Sequence, residues 1–563
     1  MAETIRFFDT TLRDGAQTPR IGFDLWDRLV IAKALAYVGV DVIEIGFGAN
    51  NAEFDMIRQM AKYVGNERYS VNGHVPVVCS LARAIPGDVH LAYKSIEPAN
   101  PKKRRIHVFI ATSDELMNNN LEKSEAEVHK LIGESVPLAV EYMGEDGEVE
   151  FSCEDALNTP LDRLLRTCQL AIDYGARIIN VPDTTGLASP ERYYDTLTYL
   201  RNNLRGAERV IFSVHNHNDV GLAVATTLAG INAGARQLEG CVNQLGERAG
   251  NADWISVAAA LNNMSEYKGR FDTSHLRMDK LYGLAKLVSG ITGLPIPPTH
   301  PVTGSSSFEE SAGIHVSGVI KALLKKAISY FRIDAGSVGR DIGIVIGQTS
   351  GYHTVAHFLQ NFGYGQVAEN YSWAQLEAMT DYCKRQAIGF RDALTDTEAR
   401  LNAEHFVRGK SLEDLVVLKD FHSTNSMSGG RSVEILLEID KKEYTGEGTG
   451  EGVVDAFMNA TNDALGFPSG KVQLHFWEEK AIYRGPDAPG FELLKEIPFS
   501  EEEEKQLKQI CPVSVGQQAM AKSMVKLKFN DDVFDGRGVS LDVDTANYRA
   551  ITKAYNAIFK LAY

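Results

Sequence analysis

"VIFSVHNHND", Val210 to Asp219, is a largely apolar run that ends in five consecutive polar residues. The apolar half reads as a buried strand. The imidazoles, amides and carboxylate crowded at its C-terminal end are what a buried strand avoids unless they serve a site. Residues i and i+2 of a strand point to the same side, so His215 and His217 face one point together.

Seven similar runs precede or follow it: "IRFF" at Ile5, "VDVIEIGF" at Val40, "VPVVCSL" at Val75, "IHVFIAT" at Ile106, "VEFS" at Val149, "RIINVPDT" at Arg177 and "LEGCVNQLG" at Leu238. Helical segments lie between them. "DLWDRLVIAKALAYVG", Asp24 to Gly39, puts Leu25, Leu29, Ala32 and Leu35 on one predicted face, and Gly39 closes the helix. Strands alternating with helices imply parallel βαβ units. Eight such units in about 270 residues predict a (β/α)8 TIM barrel, within an α/β class, rather than an open doubly wound sheet. The turn after the first strand, "DTTLRDGAQ", lacks the Gly-rich pattern such a sheet favours. In a barrel, chemistry sits at the C-terminal ends of the strands, where "HNHND" falls.

Strand ends one and eight add to it. The first offers Asp9, Arg13 and Asp14 from "DTTLRDG", and the eighth offers Glu247, Arg248 and Asn251 from "NQLGERAGN". Strands one, seven and eight are neighbours in a closed barrel. A carboxylate, two neutral imidazoles and an amide oxygen suit a divalent ion with open positions: zinc, manganese or magnesium.

The chain has 563 residues, enough for about three domains. A net charge of −16 repels nucleic acid and anionic lipid, so neither is an expected partner. Six scattered cysteines without a CxxC pair read as reduced thiols. No apolar run reaches the length of a membrane span, and the N-terminus enters an apolar run within four residues, leaving no room for a signal peptide. These features predict a cytoplasmic protein. The organisation read from the sequence is a barrel over residues 1–275, helical linker subdomains over 276–408, and an α+β regulatory or dimerisation domain over 409–563.

"FFDTTLRDGAQ", "VHNHNDVGLAVATTLAGINAGARQLEG" and "NQLGERAGN", with "CSLARA", "RIHVFIATS", "VEFSCEDA" and "INVPDTTG" at successive strand ends, resemble the DRE-TIM metallolyase superfamily, and most closely its α-isopropylmalate synthase branch. The resemblance implies a divalent metal held by Asp14, His215 and His217, with Asn251 nearby or as a fourth ligand. It implies a Claisen-type condensation of acetyl-CoA with 2-oxoisovalerate, giving 2-isopropylmalate in the first committed step of leucine biosynthesis. Citramalate and homocitrate synthases are the near alternatives. A metal-dependent acyl-CoA lyase is disfavoured because "LGERAGN" lacks the lyases' cysteine, and a non-catalytic regulatory homologue because every expected active-site group is present.

Further roles follow from the same resemblance. Arg13 steadies the oxygen charge formed during attack, or else pairs with Asp9 or Glu44. Gln17, His107 and Thr184 contact the oxo acid, and Glu154 is a catalytic carboxylate. His315 in "EESAGIHVSG" and Tyr330 in "ISYFRID" reach the site from the partner subunit of a homodimer, although Val316 and Ser317 stand where the family has Gln and Asp. Specificity is expected from Glu150, which would repel 2-oxoglutarate, and from the small Ser152, which leaves room for a branched substrate. "GTGEGVVDAFMNATNDALG", Gly448 to Gly466, and a second strand-then-helix round after Met524 resemble the paired units of a leucine-sensing domain. Glu451 replaces a common asparagine there, and residues 483–512 read as an insertion between the rounds.

Overall fold

The computed structural model describes residues 2–562 except 71, 326–329, 391, 412, 426–429, 440, 469, 483–519 and 541. The insertion and Cys511 therefore lie outside the described residues. The chain forms two compact units, one of residues 1–309 and 328–343, the other of 310–327 and 344–563.

The first unit is a closed barrel of eight parallel strands: β1 (Arg6–Asp9), β2 (Val42–Phe47), β3 (Val77–Arg83), β4 (Arg104–Ala111), β5 (Glu148–Glu154), β6 (Ile178–Asp183), β7 (Ile211–Asn216) and β8 (Gln237–Gly240). All eight apolar runs are strands. β8 closes on β1 with Phe8 opposite Glu239. The surrounding helices are α1 (Leu25–Val38), α2 (Asn51–Val64), α3 (Pro86–Ile96), α4 (Glu125–Met143), α5 (Leu161–Asp173), α6 (Pro190–Asn203), α7 (Ala223–Asn232) and α8 (Trp254–Asn263). Local chemistry fixes their ends. Asp24 and Asp27 form a capping box on α1, Ser124 and Glu127 another on α4, and Gly39 ends α1 at φ 97°.

The buried face of α1 matches the predicted one only in part. Ala32 and Leu35 are buried as expected, but Leu25 and Leu29 are only partly covered, and Arg28, Ile31 and Val38 also face inward. Arg28 donates there to the Leu12 carbonyl at 3.0 Å and to Glu53 at 2.7 Å, so an apolar pattern alone misplaces the stripe.

The second unit carries α9 (Gly313–Lys325), α10 (Tyr352–Asn361), α11 (Trp373–Phe390) and α12 (Asp396–Arg408). Two rounds of three antiparallel strands and a helix follow. The first is β9 (Val416–Asn425), β10 (Arg431–Ile439), β11 (Lys442–Gly450) and α13 (Val453–Leu465). The second is β12 (Val472–Ile482), β13 (Met520–Phe529), β14 (Asp532–Ser540) and α14 (Val543–Ala562). Both rounds pack a glycine-bearing third strand against alanines of the helix. A Cβ on Gly448 would lie 2.2 Å from the Ala460 nitrogen, and one on Gly538 would lie 1.9 Å from the Ala546 oxygen. We expect Gly448→Ala to destabilise this unit by about 1–3 kcal/mol through overpacking. Chemical denaturation followed separately for the two units would show an unchanged barrel transition.

Among the described residues, no helix is long and apolar enough to cross a membrane. Cys79, Cys153, Cys168, Cys241 and Cys383 are buried free thiols.

Candidate metal centre and active site

β1 delivers the first ligand. After Asp9 the chain turns sharply, and Asp14 opens a short 3-10 turn, Gly15–Gln17. Asp9 itself is structural. It accepts hydrogen bonds from the Thr11 backbone and hydroxyl and from the Trp254 indole at 2.8 Å. Burial pushes its carboxyl up to about 7 despite those donors. Asp14 sits above it, 4% exposed.

β7 delivers the imidazoles. His215 is the last residue but one of the strand, and His217, just beyond it, pairs by backbone bridge with Asn251 in the loop after β8. That loop needs its glycines: Gly250 has φ 83°, and a Cβ there would meet the Gln244 carbonyl at 1.8 Å. Gly250→Ala is therefore expected to displace Asn251 and to weaken metal retention, read by equilibrium dialysis against a chelator.

The two Nε2 atoms stand 3.4 Å apart, and Asp14 Oδ2 is 3.8 Å from His215 Nε2. Ligands on one divalent ion are separated by about 3–3.5 Å when metal–ligand bonds are about 2.0–2.2 Å long. The imidazole pair meets that spacing and Asp14 stands just beyond it, so the three groups can converge on one ion. The charges agree with that fit. Burial and then His215 push His217 down to about 3, leaving it a neutral donor of a lone pair. Burial works against the Asp14 carboxylate, but Arg13, both imidazoles and the Asn251 amide outweigh it and hold the carboxyl well below its usual range. Asn251 donates to Asp14 Oδ1 at 2.9 Å and keeps a buried Oδ1 with no hydrogen-bond partner, a spare oxygen donor beside the set.

These residues form one side of a cavity of about 200 Å³ at the C-terminal end of the barrel. Arg13, Asp14, Gln17, His107, Ser152, Glu154, Thr184, His215 and His217 all line it, as their sequence contexts predicted. Arg13 is ion-paired and also lines the cavity. Its Nε donates to Glu44 at 2.5 Å and its Nη1 to Asp14 at 2.6 Å. Of the two alternative partners, Glu44 is the one used, while Asp9 takes its hydrogen bonds from Thr11 and Trp254.

His107 bonds through Nδ1 to Glu44 at 2.9 Å and through Nε2 to the Ser152 hydroxyl at 2.6 Å, where Asn180 also donates at 2.8 Å. Burial disfavours an imidazolium at His107, yet Glu150 and Glu44 outweigh it and raise the group. Glu44, Cys79 and His107 make a second close trio, but Arg13 and the His107–Ser152 bond already occupy its polar atoms. The Glu154 carboxyl is raised by burial first, then by Asp155 and Glu247.

Three expected residues stand elsewhere. Glu150, expected at the cavity wall as a selector, lies beneath it with no exposure. It shares a face with Ser152 but sits two residues, about 6–7 Å, deeper along β5. Its oxygens are taken by Arg105 at 2.7 Å and Gln237 at 2.9 Å. Tyr330 is 55% exposed and is not part of the cavity wall. His315 belongs to the second unit, half-exposed on α9, with Nδ1 3.3 Å from Glu310.

Sequence reasoning missed Leu81, Phe109, Asn180 and Pro182 in the wall and Glu239 at its floor. The signal was present in the strand period: Phe109 is His107 plus two, and Pro182 and Asn180 are Thr184 minus two and minus four.

A model of the HMGL-like family matches residues 4–288. A 2-isopropylmalate synthase from Prochlorococcus marinus (strain MIT 9301) is 35% identical over 501 residues, covering 86% of this chain and 87% of that one. Those of Pyrococcus furiosus and Aquifex aeolicus are 33% and 32% identical. They cover 99% and 100% of this chain, and 100% and 98% of theirs. A solved hydroxymethylglutaryl-CoA lyase from Pseudomonas aeruginosa aligns with a TM-score of 0.44 at 18% identity, over 58% of this chain and 99% of its own. The synthases match through the barrel and onward to the second unit, and so identify the branch as well as the superfamily: the chain belongs to the HMGL-like family and, within it, to the 2-isopropylmalate synthase family.

Proposed function

We propose that the protein condenses acetyl-CoA with 2-oxoisovalerate, releasing CoA and 2-isopropylmalate, as a cytoplasmic homodimer. The reading rests on one observation above the others: a small cavity that brings three groups able to hold a metal together with Arg13 and Glu154, and that has Leu81, Phe109 and Pro182 as the apolar part of its wall. A zinc, manganese or magnesium ion held by Asp14, His215 and His217 would polarise the keto group of a chelated 2-oxo acid.

The chain's own groups do the rest. Arg13, fixed by Glu44, presents a permanent cation to the keto oxygen as it gains charge. Thr184, Gln17 and His107 surround the carboxylate end, and Ser152 with the apolar wall receives the branched tail. Glu154, with His315 and Tyr330 brought from the second chain of the dimer, withdraws a methyl proton from acetyl-CoA. The new carbon–carbon bond forms to the keto carbon, the keto oxygen ends as a hydroxyl, and water releases CoA from the thioester. The paired rounds of the second unit support a dimerising and effector-binding role, with leucine the first effector to test.

A panel of 2-oxo acids with acetyl-CoA, scored by CoA release, tests this. 2-Oxoisovalerate should exceed pyruvate by roughly 10-fold or more in kcat/KM, because each apolar group filling a pocket is worth about 1–3 kcal/mol. 2-Oxoglutarate should be poorest. Among the described residues Arg13 is the one Arg or Lys in the wall, and Glu44 and Asp14 already hold it. A higher kcat/KM for pyruvate would make the protein a citramalate synthase. Glu154 must be ionised to accept a proton, and its carboxyl is raised. The acid limb of kcat should therefore lie above the ordinary glutamate range. Glu247→Gln removes a neighbouring negative charge and should move that limb to lower pH.

A further inference from the structure

TIM barrels fill their interior with bulky branched side chains. Here the layer under the metal centre is polar and fully enclosed: Arg105, Glu150, Ser213, Gln237 and Glu239 all have no exposure. Replacing such a buried network by apolar groups is often neutral or stabilising, so stability alone does not account for it. The bonds run in one order. Arg105 Nη1 donates to Gln237 Oε1 at 2.9 Å, and Gln237 Nε2 donates to Ser213 Oγ at 2.9 Å and to Glu150 Oε1 at 2.9 Å. Ser213 donates to Glu239 Oε1 at 2.8 Å, and the other Glu239 oxygen lies 3.1 Å from His215 Nδ1.

The direction of donation is forced along this chain. A guanidinium has donors only, so the Gln237 amide must turn its oxygen to Arg105 and its nitrogen to Ser213. Ser213 has one proton. With its oxygen already accepting from Gln237, that proton goes to Glu239. The other oxygen of this carboxylate faces the His215 ring and takes its Nδ1 proton. His215 is thereby fixed as the tautomer whose Nε2 lone pair points at Asp14 and His217.

We infer that Ser213 and Gln237 are positioning residues of the metal centre, which set the tautomer of His215 through Glu239 and keep its ring in place. The inference rests on the metal reading above. Outer partners of metal-bound histidines are typically worth about 10–100-fold in metal affinity.

The test titrates the full-length, metal-free protein with Mn²⁺ or Zn²⁺ against a competing fluorescent chelator. Ser213→Ala and the near-isosteric Gln237→Met should each weaken binding by roughly 10–100-fold. The double variant should be no weaker than the worse single, because both break one chain. Ser213→Thr, which keeps the hydroxyl, should recover wild-type affinity. Metal-free melting temperatures identify any variant that has merely failed to fold, and the remaining one then decides. Affinity within about twofold of wild type in the folded variants, or effects that multiply in the double, would overturn the inference. A wild type that binds metal yet releases no CoA with any 2-oxo acid would sink the condensation reading and leave this result standing.

Discussion

Asp14→Asn removes turnover. The substitution keeps the shape of the side chain and its contact with Asn251, but it takes away the one negative charge among the three ligating groups. A polarising cation supplies several kcal/mol of charge stabilisation, so CoA release should fall by roughly 10³-fold or more. His217→Ala should act alike, since it removes one of the two imidazoles whose Nε2 atoms stand 3.4 Å apart. Exhaustive chelation of the wild type should reproduce both variants, and added Mn²⁺ or Zn²⁺ should rescue only the wild type. Metal content by elemental analysis and melting temperature by calorimetry separate a lost ion from a lost fold. Full activity after chelation would end the metal reading.

His315→Ala is the second large effect expected. The imidazole sits on α9, oriented by Glu310, and belongs to the second unit rather than the barrel. A general base contributes about 10²–10⁴-fold, so kcat should drop by roughly 100-fold or more. KM for the oxo acid should hardly move, because the residues proposed to bind that substrate all lie in the barrel. Mixing Asp14→Asn protein with His315→Ala protein tests the shared site. If the two residues of one site come from different chains, mixed dimers regain one intact site and part of the activity. No recovery after demonstrated subunit exchange would place both residues in one chain.

Much of the barrel was legible because its strands are short, β-branched and regularly spaced, and because parallel strands bury both faces. The ligating trio was legible for a related reason: a polar cluster at the end of an apolar strand has few structural excuses. Depth was not legible. Glu150 and Ser152 share a face and differ only in how far along β5 they lie, and no pattern in the sequence marks the level at which the cavity floor falls. Part of the buried face of α1 escaped for a similar reason. Arg28 looks like a surface residue until Leu12 and Glu53 are seen to accept from it. The cavity's apolar wall was hidden by ordinariness, since Leu81 and Pro182 look like any barrel core residue until the third dimension is added.

The junction of β8 with β1 carries a consequence for the newly made chain. Asp14 and Asn251 touch although they stand 237 positions apart, and His215 reaches Asp14 only once the barrel has closed. No N-terminal fragment that stops before β7 can hold the ion, however well its own strands have formed. A ribosome must have extruded almost the whole barrel before the first ligand meets the others, and long-range closure of this kind is the slow part of folding. An ion held by Asp14, His215 and His217 would therefore report barrel completion, because it would bridge the seam where the earliest and latest strands meet.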